Sequence, residues 1–294
     1  MKPPPFRYHG PTSITEALDV LAEVGDDGKV LAGGQSLIPI LNMRLAAPHD
    51  LVDINGVGEL DTVRVDSEGV LVGALARHAR VEHDEEAYAA IPLLRQALQL
   101  VAHPVIRNRG TTVGSLVHAD PSGEMTAVLA LLGGSVQVAS RAERRTVMAG
   151  DFFIAPLESA VAAGELAVSA FFPRPPGRAG TAFAEVARRH GDYAVCGVAA
   201  SVSLDDDLRI TSARTASISV GPTPVVIDVT EAVAAAPAVT ADWAAAGRLA
   251  ASRADPEPDI HATAEYRRHL IMVLAGRALR EAASRALPED RQAS

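Results

Sequence analysis

Cysteine is almost absent from this sequence of 294 residues, in which Cys196 is the single thiol. One thiol cannot form an internal disulfide, and it cannot hold an iron–sulfur cluster, which takes four protein ligands. Aromatic residues are also scarce, at 4%, and the formal net charge is −9. Because nucleic-acid binding needs basic surfaces and, for single strands, aromatic platforms, we expect no nucleic-acid partner.

Long hydrophobic runs are missing as well. Residues 1–6, MKPPPF, lack the apolar stretch of a secretory signal. The longest uncharged run, residues 125–140, is interrupted by Gly133 and Gly134 and is too short to cross a bilayer. A cytoplasmic protein is therefore expected. An apolar fraction of 48% excludes a disordered chain, and the length suits one large domain or two to three modest ones.

Two glycine-bearing loops are the most informative feature that is present. The first, AGGQS at residues 32–36, follows an apolar stretch, and the second, RNRGTTVGS at residues 107–115, leads into HADP at 118–121. Glycines beside hydroxyl side chains allow backbone N–H groups to approach phosphate oxygens closely. Two such loops suit an extended ligand with a diphosphate in its middle. Taken alone, Gly33 and Gly34 fit a tight turn about equally well, and neither loop contains the GxGxxG pattern of dinucleotide-binding folds.

Local patterns predict the elements around these loops. Ser13 and Glu16 form a capping box for a helix that Gly25 ends, a strand follows at residues 29–32, and Ser36 caps a second helix that continues through Leu45. Further helices are predicted at 88–102, 125–132 and 263–287, and strands at 51–54, 70–73, 136–139, 195–204 and 208–220. The last helix should turn Tyr266, Leu270, Val273, Leu274 and Ala278 inward. The proline-rich stretch 173–177 predicts a linker.

Several segments, in order and spacing, resemble the FAD subunits of molybdenum hydroxylases, a family that includes aerobic carbon monoxide dehydrogenases and xanthine dehydrogenases. They are AGGQSLIPILNMR at 32–44, RNRGTTVGSLVHADPSGEM at 107–125, RRHGDYA at 188–194, GPTPV at 221–225 and the region from Tyr266 to Leu270. The resemblance implies an α+β fold: an FAD-binding domain of the vanillyl-alcohol oxidase type with two α/β lobes, and a C-terminal lobe with an antiparallel sheet and helices. It also implies domains at 1–176 (lobes roughly 1–55 and 56–176) and 177–288, with a tail at 289–294.

The resemblance further implies a set of FAD contacts. Residues 32–36 would wrap the diphosphate, the second loop would contact phosphate and ribityl, Glu124 would hold ribityl hydroxyls, and Tyr193 would lie against the isoalloxazine ring. The full set is Ala32, Gly33, Gly34, Gln35, Ser36, Leu37, Ile106, Gly110, Thr111, Gly114, Ser115, Ala119, Asp120, Glu124, Leu166 and Tyr193. No catalytic acid, base or nucleophile and no metal ligand is implied.

The chain departs from the family pattern at two places. Val113 stands where the second loop usually has a glycine, and a positive φ there would strain a β-branched residue by roughly 1–3 kcal/mol. Glu185 and Ala187 stand where many relatives carry lysines. Simpler interpretations also remain open: Arg107 and Arg109 as surface charges, Tyr193 as a half-buried strand residue, and Cys196 as a core residue.

The function implied by the resemblance is that of an FAD-carrying electron-transfer subunit. The partners would be a large subunit with the molybdenum cofactor and a small subunit with [2Fe–2S] clusters, assembled as a dimer of heterotrimers. Electrons would pass through FAD to an external acceptor, and a quinone acceptor would bring the complex into peripheral contact with a membrane. Two alternatives are a scaffold subunit without flavin and a stand-alone flavin oxidase.

Overall fold

The computed structural model describes residues 2–288, so the expected tail at 289–294 lies outside the described residues. The predicted α+β class is confirmed. The first structural unit is a three-stranded parallel sheet with helices α1 (Ile14–Val24) and α2 (Leu37–Asn42). Its strands are β1 (Arg7–His9), β2 (Gly28–Leu31) and β3 (Asp50–Asp53), with β3 in the centre. Residues 32–36 therefore join the end of a parallel strand to a helix, as predicted.

A five-stranded antiparallel sheet follows, in the order β4–β5–β10–β6–β7. Its strands are β4 (Val63–Val65), β5 (Gly69–Gly73), β6 (Ser135–Ala139), β7 (Arg144–Met148) and β10 (Leu166–Pro173), and β8 (Phe153–Ala155) and β9 (Glu158–Ser159) form a separate hairpin. The helices are α3 (His78–His83), α4 (Glu85–Ala90), α5 (Pro92–Leu98), α6 (Pro104–Arg107), α7 (Thr112–His118), α8 (Glu124–Leu132) and α9 (Ala149–Phe152).

The remaining chain forms a four-stranded antiparallel sheet, in sequential order, and two helices. The strands are β11 (Arg178–Ala187), β12 (Ala194–Leu204), β13 (Ile210–Ile218) and β14 (Val225–Asp228), and the helices are α10 (Trp243–Arg253) and α11 (Ala264–Ala286). One face of this sheet packs on α11 in a hydrophobic cluster of its own. The other face contributes Ala199, Ala216 and Ile218 to the larger cluster that contains α8.

Four local predictions differ from the structure: two concern helices, one a linker and one the orientation of a side chain. The helix expected at 88–102 is two helices, α4 and α5, because Pro92 disfavours helical geometry at Ile91 and begins a new helix. Helix α2 ends at Asn42, before Leu45, and the Ser36 side chain makes no capping hydrogen bond. The expected linker is only the short connection between β10 and β11. Tyr266 is 48% exposed, not turned inward, whereas Leu270, Leu274 and Ala278 are buried as predicted.

The first helix begins as the sequence indicates, with one difference in its cap. The Ser13 hydroxyl accepts a hydrogen bond from the Glu16 amide at 3.2 Å. The Glu16 carboxylate accepts from the Thr12 amide at 2.8 Å, where the capping box predicted the Ser13 amide. Among residues 2–288, no helix is long and apolar enough to cross a membrane.

Candidate functional site

The two glycine loops touch each other. A Cβ atom added to Gly33 would lie 2.4 Å from the carbonyl oxygen of Arg109, 2.8 Å from the Cα of Gly110 and 3.0 Å from the amide nitrogen of Thr111. Real Cβ atoms do not come that close to backbone, so the first loop can lie against the second only because residue 33 has no side chain. Gly34 has φ +73°, a left-handed conformation that also favours glycine.

The backbone carbonyls of the second loop are held by hydrogen bonds from residues 77 and 78. The amide of His78 donates to the carbonyl of Gly110 at 2.9 Å, and the Arg77 guanidinium donates to the carbonyl of Arg109 at 2.6 Å. Thr111 caps α7, because its hydroxyl accepts from the amide of Gly114 at 3.2 Å. The loop therefore reaches the cleft in one defined conformation, although it is distant in sequence from the start of α3, which holds it.

Both loops line a cleft of about 590 Å³, a volume within the range of ~300–1,000 Å³ that is usual for ligand sites. Fifteen of the sixteen residues in the expected set line it: Ala32, Gly33, Gly34, Gln35, Ser36, Leu37, Ile106, Gly110, Thr111, Gly114, Ser115, Asp120, Glu124, Leu166 and Tyr193. Ala119 is the exception. It is buried behind the wall with φ 51°, and its carbonyl accepts from the amide of Leu157 at 3.0 Å. Ala119 thus serves as the left-handed end of α7, not as part of the surface.

One part of the wall, formed by Asp120, Glu124 and Tyr193, is acidic and is called here the acidic end. Tyr193 directly precedes β12 and is 71% exposed, so it is not a half-buried strand residue. Its loop turns at Gly191, φ +84°, which packs directly on the His103 ring. Although most of the side chain is exposed, partial desolvation by the surrounding protein raises the pKa of the Tyr193 hydroxyl, and the charges of Asp120 and Glu124 raise it further.

Glu124 is the most perturbed carboxyl in the cleft wall. It is 9% exposed at the start of α8. Burial, opposed in part by a hydrogen bond from its own backbone amide, and the charges of Glu185 and Asp120 raise its pKa to about 8. A carboxyl that is neutral at pH 7 can donate as well as accept a hydrogen bond, which suits contact with ligand hydroxyls.

His78 is a cleft residue that the sequence did not indicate. It is buried in the wall beneath the second loop, and a Cβ atom on Gly110 would lie 2.8 Å from its Cδ2. Burial, with a smaller contribution from Arg107, lowers its pKa to about 4, so the ring is neutral at pH 7. Its Nδ1 lies 3.2 Å from the Thr112 hydroxyl. No local pattern marks this residue, because its role arises from contact with a loop about thirty residues later.

The simpler interpretation of Arg107 as a surface charge is wrong. Its guanidinium is buried and donates from Nε to Glu82 Oε2 at 2.7 Å and from Nη1 to the carbonyl of Val101 at 3.0 Å. The pair ties the start of the second loop to α3. Truncating one partner of such a pair leaves an uncompensated buried charge, which is strongly destabilising.

The backbone strain expected at Val113 is absent from the structure. Val113 lies within α7, is absent from the residues with positive φ, and is only 1% exposed. It packs in the main hydrophobic cluster, so the expected strain is wrong and the side chain stabilises the fold. Cys196 is buried as predicted, and burial raises the pKa of its thiol to about 12. Within residues 2–288 no group of three or more His, Cys, Asp or Glu side chains is arranged to hold a metal ion.

The cleft suits FAD in its shape and its chemistry. Two backbone loops without side-chain bulk meet in its wall at Gly33 and Gly110, where a diphosphate would find N–H groups. Apolar residues such as Ile40, Val101 and Leu166 line other parts of it, as expected for a site that takes adenine or flavin rings. Glu124 offers a hydrogen-bonding carboxyl to sugar-like hydroxyls.

Comparison with known proteins agrees with this assignment. A family model described as the FAD-binding domain in molybdopterin dehydrogenase matches residues 4–175, and the C-terminal domain of the CO dehydrogenase flavoprotein matches residues 181–282. The chain is 40% identical to the caffeine dehydrogenase subunit beta of Pseudomonas sp. (strain CBB1), over 99% of each chain. It is 39% identical to subunit alpha of the 6-hydroxypseudooxynicotine dehydrogenase complex of Paenarthrobacter nicotinovorans, over 98% of each.

A solved structure supports the same conclusion. A chain of carbon monoxide dehydrogenase from Hydrogenophaga pseudoflava, in a form that lacks the Mo-pyranopterin moiety of the molybdenum cofactor, superimposes with a TM-score of 0.91 at 31% identity. The match covers 97% of this chain and 99% of that one. The expected fold is therefore confirmed over nearly the whole chain, and the protein belongs to the FAD-binding medium subunits of the molybdenum hydroxylases, a family of oxidoreductase subunits that carry FAD.

Proposed function

We propose that this chain carries electrons between an iron–sulfur partner and an external acceptor. The observation that carries the proposal is the open acidic end of the cleft, where Tyr193 is 71% exposed and the surface remains accessible to another molecule. Bound FAD supplies the chemistry, because it can accept electrons singly and release them in pairs. The chain itself has one cysteine, buried and poorly ionised, so an iron–sulfur cluster that supplies the electrons would lie on another polypeptide.

The chain's own residues would bind and orient the cofactor. The amides of the two glycine loops would hold the diphosphate, Glu124 would bind ribityl hydroxyls, and the Tyr193 ring would cover one face of the isoalloxazine. His78 and the Arg107–Glu82 pair would hold the second loop in place. We also propose that the FAD-binding domain spans residues 1–176, with lobes at about 1–55 and 56–176, and that a second domain spans 177–288.

The partners are proposed from the relatives. Both relatives are named as subunits, one of them of a dehydrogenase complex, and the solved carbon monoxide dehydrogenase is named as a form that lacks the Mo-pyranopterin moiety of its molybdenum cofactor. We propose a large subunit that bears the molybdenum cofactor and oxidises the substrate, a small subunit with [2Fe–2S] clusters, and assembly as a dimer of heterotrimers in the cytoplasm. The acceptor is a quinone, NAD, oxygen or a protein, and a quinone would imply peripheral membrane contact.

Elemental and spectral analysis tests this division of labour. The complex purified from its native host should contain iron, molybdenum and FAD, whereas this chain expressed alone should bind FAD without stoichiometric iron or molybdenum. Mixing the oxidised, FAD-loaded chain with the dithionite-reduced small subunit should bleach the flavin absorbance in a stopped-flow experiment. Iron bound by the isolated chain, or a flavin that stays oxidised in that mixture, would contradict the proposal.

Two further outcomes would favour the alternatives. A folded chain that is colourless both alone and in the complex would indicate a scaffold subunit without flavin. Turnover of an organic substrate by the isolated FAD-loaded chain would indicate a stand-alone oxidase.

A further inference from the structure

Two carboxyls in and beside the cleft wall interact electrostatically: Glu124 is buried, and Glu185 is half-buried with one buried carboxylate oxygen. Glu124 lies in the cleft wall, and within residues 2–288 the hydrogen bond acting on its carboxylate comes from its own backbone amide. Glu185 lies in β11, and its Oε2 atom is buried with no hydrogen-bond partner among the described residues. Because a buried polar atom without a partner is costly, these two groups call for an explanation.

The strand geometry turns Glu185 towards the flavin-binding part of the chain. Side chains alternate between the faces of a strand. Ala182, Ala184 and Val186 pack with the cluster around α11, whereas Phe183 packs against the cluster that contains α8. Glu185 shares the face of Phe183, and its charge acts on Glu124.

The other charged groups nearby do not neutralise the pair. Asp120, which also acts on Glu124, accepts a hydrogen bond from the Ser122 amide at 2.8 Å and lies 3.9 Å from His118 Nε2. Its charge therefore has partners of its own. Tyr193 contributes a hydroxyl on which both Asp120 and Glu124 act.

Four arginines on the elements packed around α8 and β11 are engaged elsewhere. Arg95 of α5 donates to Glu85 at 2.9 Å. Arg285 of α11 donates to the carbonyl of Thr181 at 2.8 Å. Arg267 of α11 donates to Asp259, also at 2.8 Å. Arg214 of β13 acts on Asp228, and the thiol of Cys196 lies in the opposite cluster.

We propose that Glu124, at the acidic end of the cleft, and Glu185, on the face of β11 turned towards α8, form a two-carboxyl proton site, and that FAD binding is accompanied by proton uptake at this site. The inference rests on the proposed flavin site. FAD brings the negative charge of its diphosphate and displaces water from the wall, and both changes disfavour ionised carboxylates. Ribityl hydroxyls can donate to a carboxylate or accept from a carboxylic acid, so hydrogen bonding serves either form. Because hydrogen bonding does not discriminate, the diphosphate charge and the loss of water favour the protonated carboxyls in the complex.

The sign of the pH dependence follows from the cleft without ligand. Burial raises the pKa of Glu185 to about 7 and that of Glu124 to about 8. As pH rises through this range, both carboxyls ionise in the free chain, whereas bound FAD keeps the site protonated. The dissociation constant for FAD should then increase with pH, by up to about tenfold per pH unit for each proton taken up.

Fluorescence titration of the apo-form of the full chain with FAD, from pH 6.5 to 9, tests this inference. For the wild type, the Kd at pH 9 should exceed that at pH 6.5 by at least about tenfold. Glu124→Gln and Glu185→Gln should each reduce this ratio, and the double variant should bring it within about twofold. Glu86→Gln, on the exposed surface of α4, is the matched control and should keep the wild-type ratio.

Calorimetry in two buffers of different ionisation enthalpy provides the direct readout. Wild-type chain at pH 8 should take up protons on binding FAD, and the double variant should take up none. A wild-type Kd that is flat or falls with rising pH, or a double variant that keeps the wild-type ratio, would overturn the proton site while leaving the flavin assignment intact. Absence of FAD binding at every pH would overturn both.

Discussion

Replacing Gly33 by alanine should separate the two loops that form the floor of the flavin cleft. The added Cβ would lie 2.4 Å from the Arg109 carbonyl oxygen, and ordinary contacts begin near 3.4 Å. One loop must therefore move by about 1 Å. The second loop is the less free to move, because Arg77 and the amide of His78 bind the carbonyls of Arg109 and Gly110. We expect the first loop, residues 32–36, to shift away.

The magnitude follows from the cost of overpacking. Forcing an extra carbon into a well-packed contact costs about 1–3 kcal/mol. If FAD binding must pull the displaced loop back, that cost appears as a loss of affinity, and ~1.4 kcal/mol corresponds to a factor of ten. The FAD affinity of Gly33→Ala should therefore fall by about 5-fold to 150-fold. Any part of this overpacking energy that does not weaken FAD binding should lower the free energy of unfolding of the chain without ligand.

The assay needs both quantities for each variant. FAD titration gives the affinity, and urea unfolding of the same preparation without ligand gives the stability. Gly150→Ala is the matched control, because Gly150 is exposed at the start of α9, has an ordinary φ and would meet no atom within 4 Å. It should bind FAD as the wild type does, and its stability should equal the wild type's or exceed it by up to about 1 kcal/mol, because alanine suits a helix better than glycine. A Gly33→Ala chain with wild-type affinity and wild-type stability would refute the idea that the loops meet at residue 33.

Substitutions at three further positions test other parts of the site. Tyr193→Phe should keep FAD binding, whereas Tyr193→Ala should change the visible flavin spectrum and the reoxidation rate with little change in melting temperature, since the ring is 71% exposed. A large fall in melting temperature with an unaltered spectrum would indicate a structural tyrosine. Val113→Gly should lower the free energy of unfolding by about 2–4 kcal/mol, through lost burial and the cost of glycine in a helix, and an unchanged urea midpoint would show that the valine is dispensable. Glu124→Gln should stabilise the chain without FAD, and the gain should grow as pH rises from 4.5 to about 8, because the raised folded-state pKa of Glu124 makes the wild type lose stability across that interval. The gain in unfolding free energy is limited to roughly 5 kcal/mol. A difference between variant and wild type that is constant with pH would contradict the burial of a neutral carboxyl.

The sequence predicted the parts of this site that depend on short segments. Ser13 caps α1, residues 32–36 join β2 to α2, and α8 begins at Glu124 close to where the pattern placed it. These features follow from periodicity, capping residues and glycine, which report local conformation. The reason for Gly33 was only partly foreseen. Freedom to approach a phosphate was expected, and contact with Gly110 of the other loop is what the structure adds.

The parts that were missed depend on contacts between distant segments. His78 lies under Gly110, and Glu82 pairs with Arg107, each across more than twenty residues. Neither histidine nor glutamate has a local signature for such a role. Strands β10 and β11 were missed for a related reason. Strand β10 is buried on both faces for most of its length, and β11 is buried at residues 180–182 and half-buried from 183 to 187, so neither shows the alternation that marks a half-exposed strand.

The two departures from the family pattern have different consequences because of where they lie. Val113 is inside a helix and in the main cluster, so a larger side chain is accommodated by packing and the loop keeps its conformation. Glu185 lies in a strand facing α8, where its charge reaches Glu124 and no described cation offsets it. A change of volume in a core is absorbed by neighbouring side chains, whereas a change of charge in a poorly solvated wall acts on every ionisable group nearby. For this reason the properties that distinguish this chain's flavin site should be sought at Glu185 before Val113.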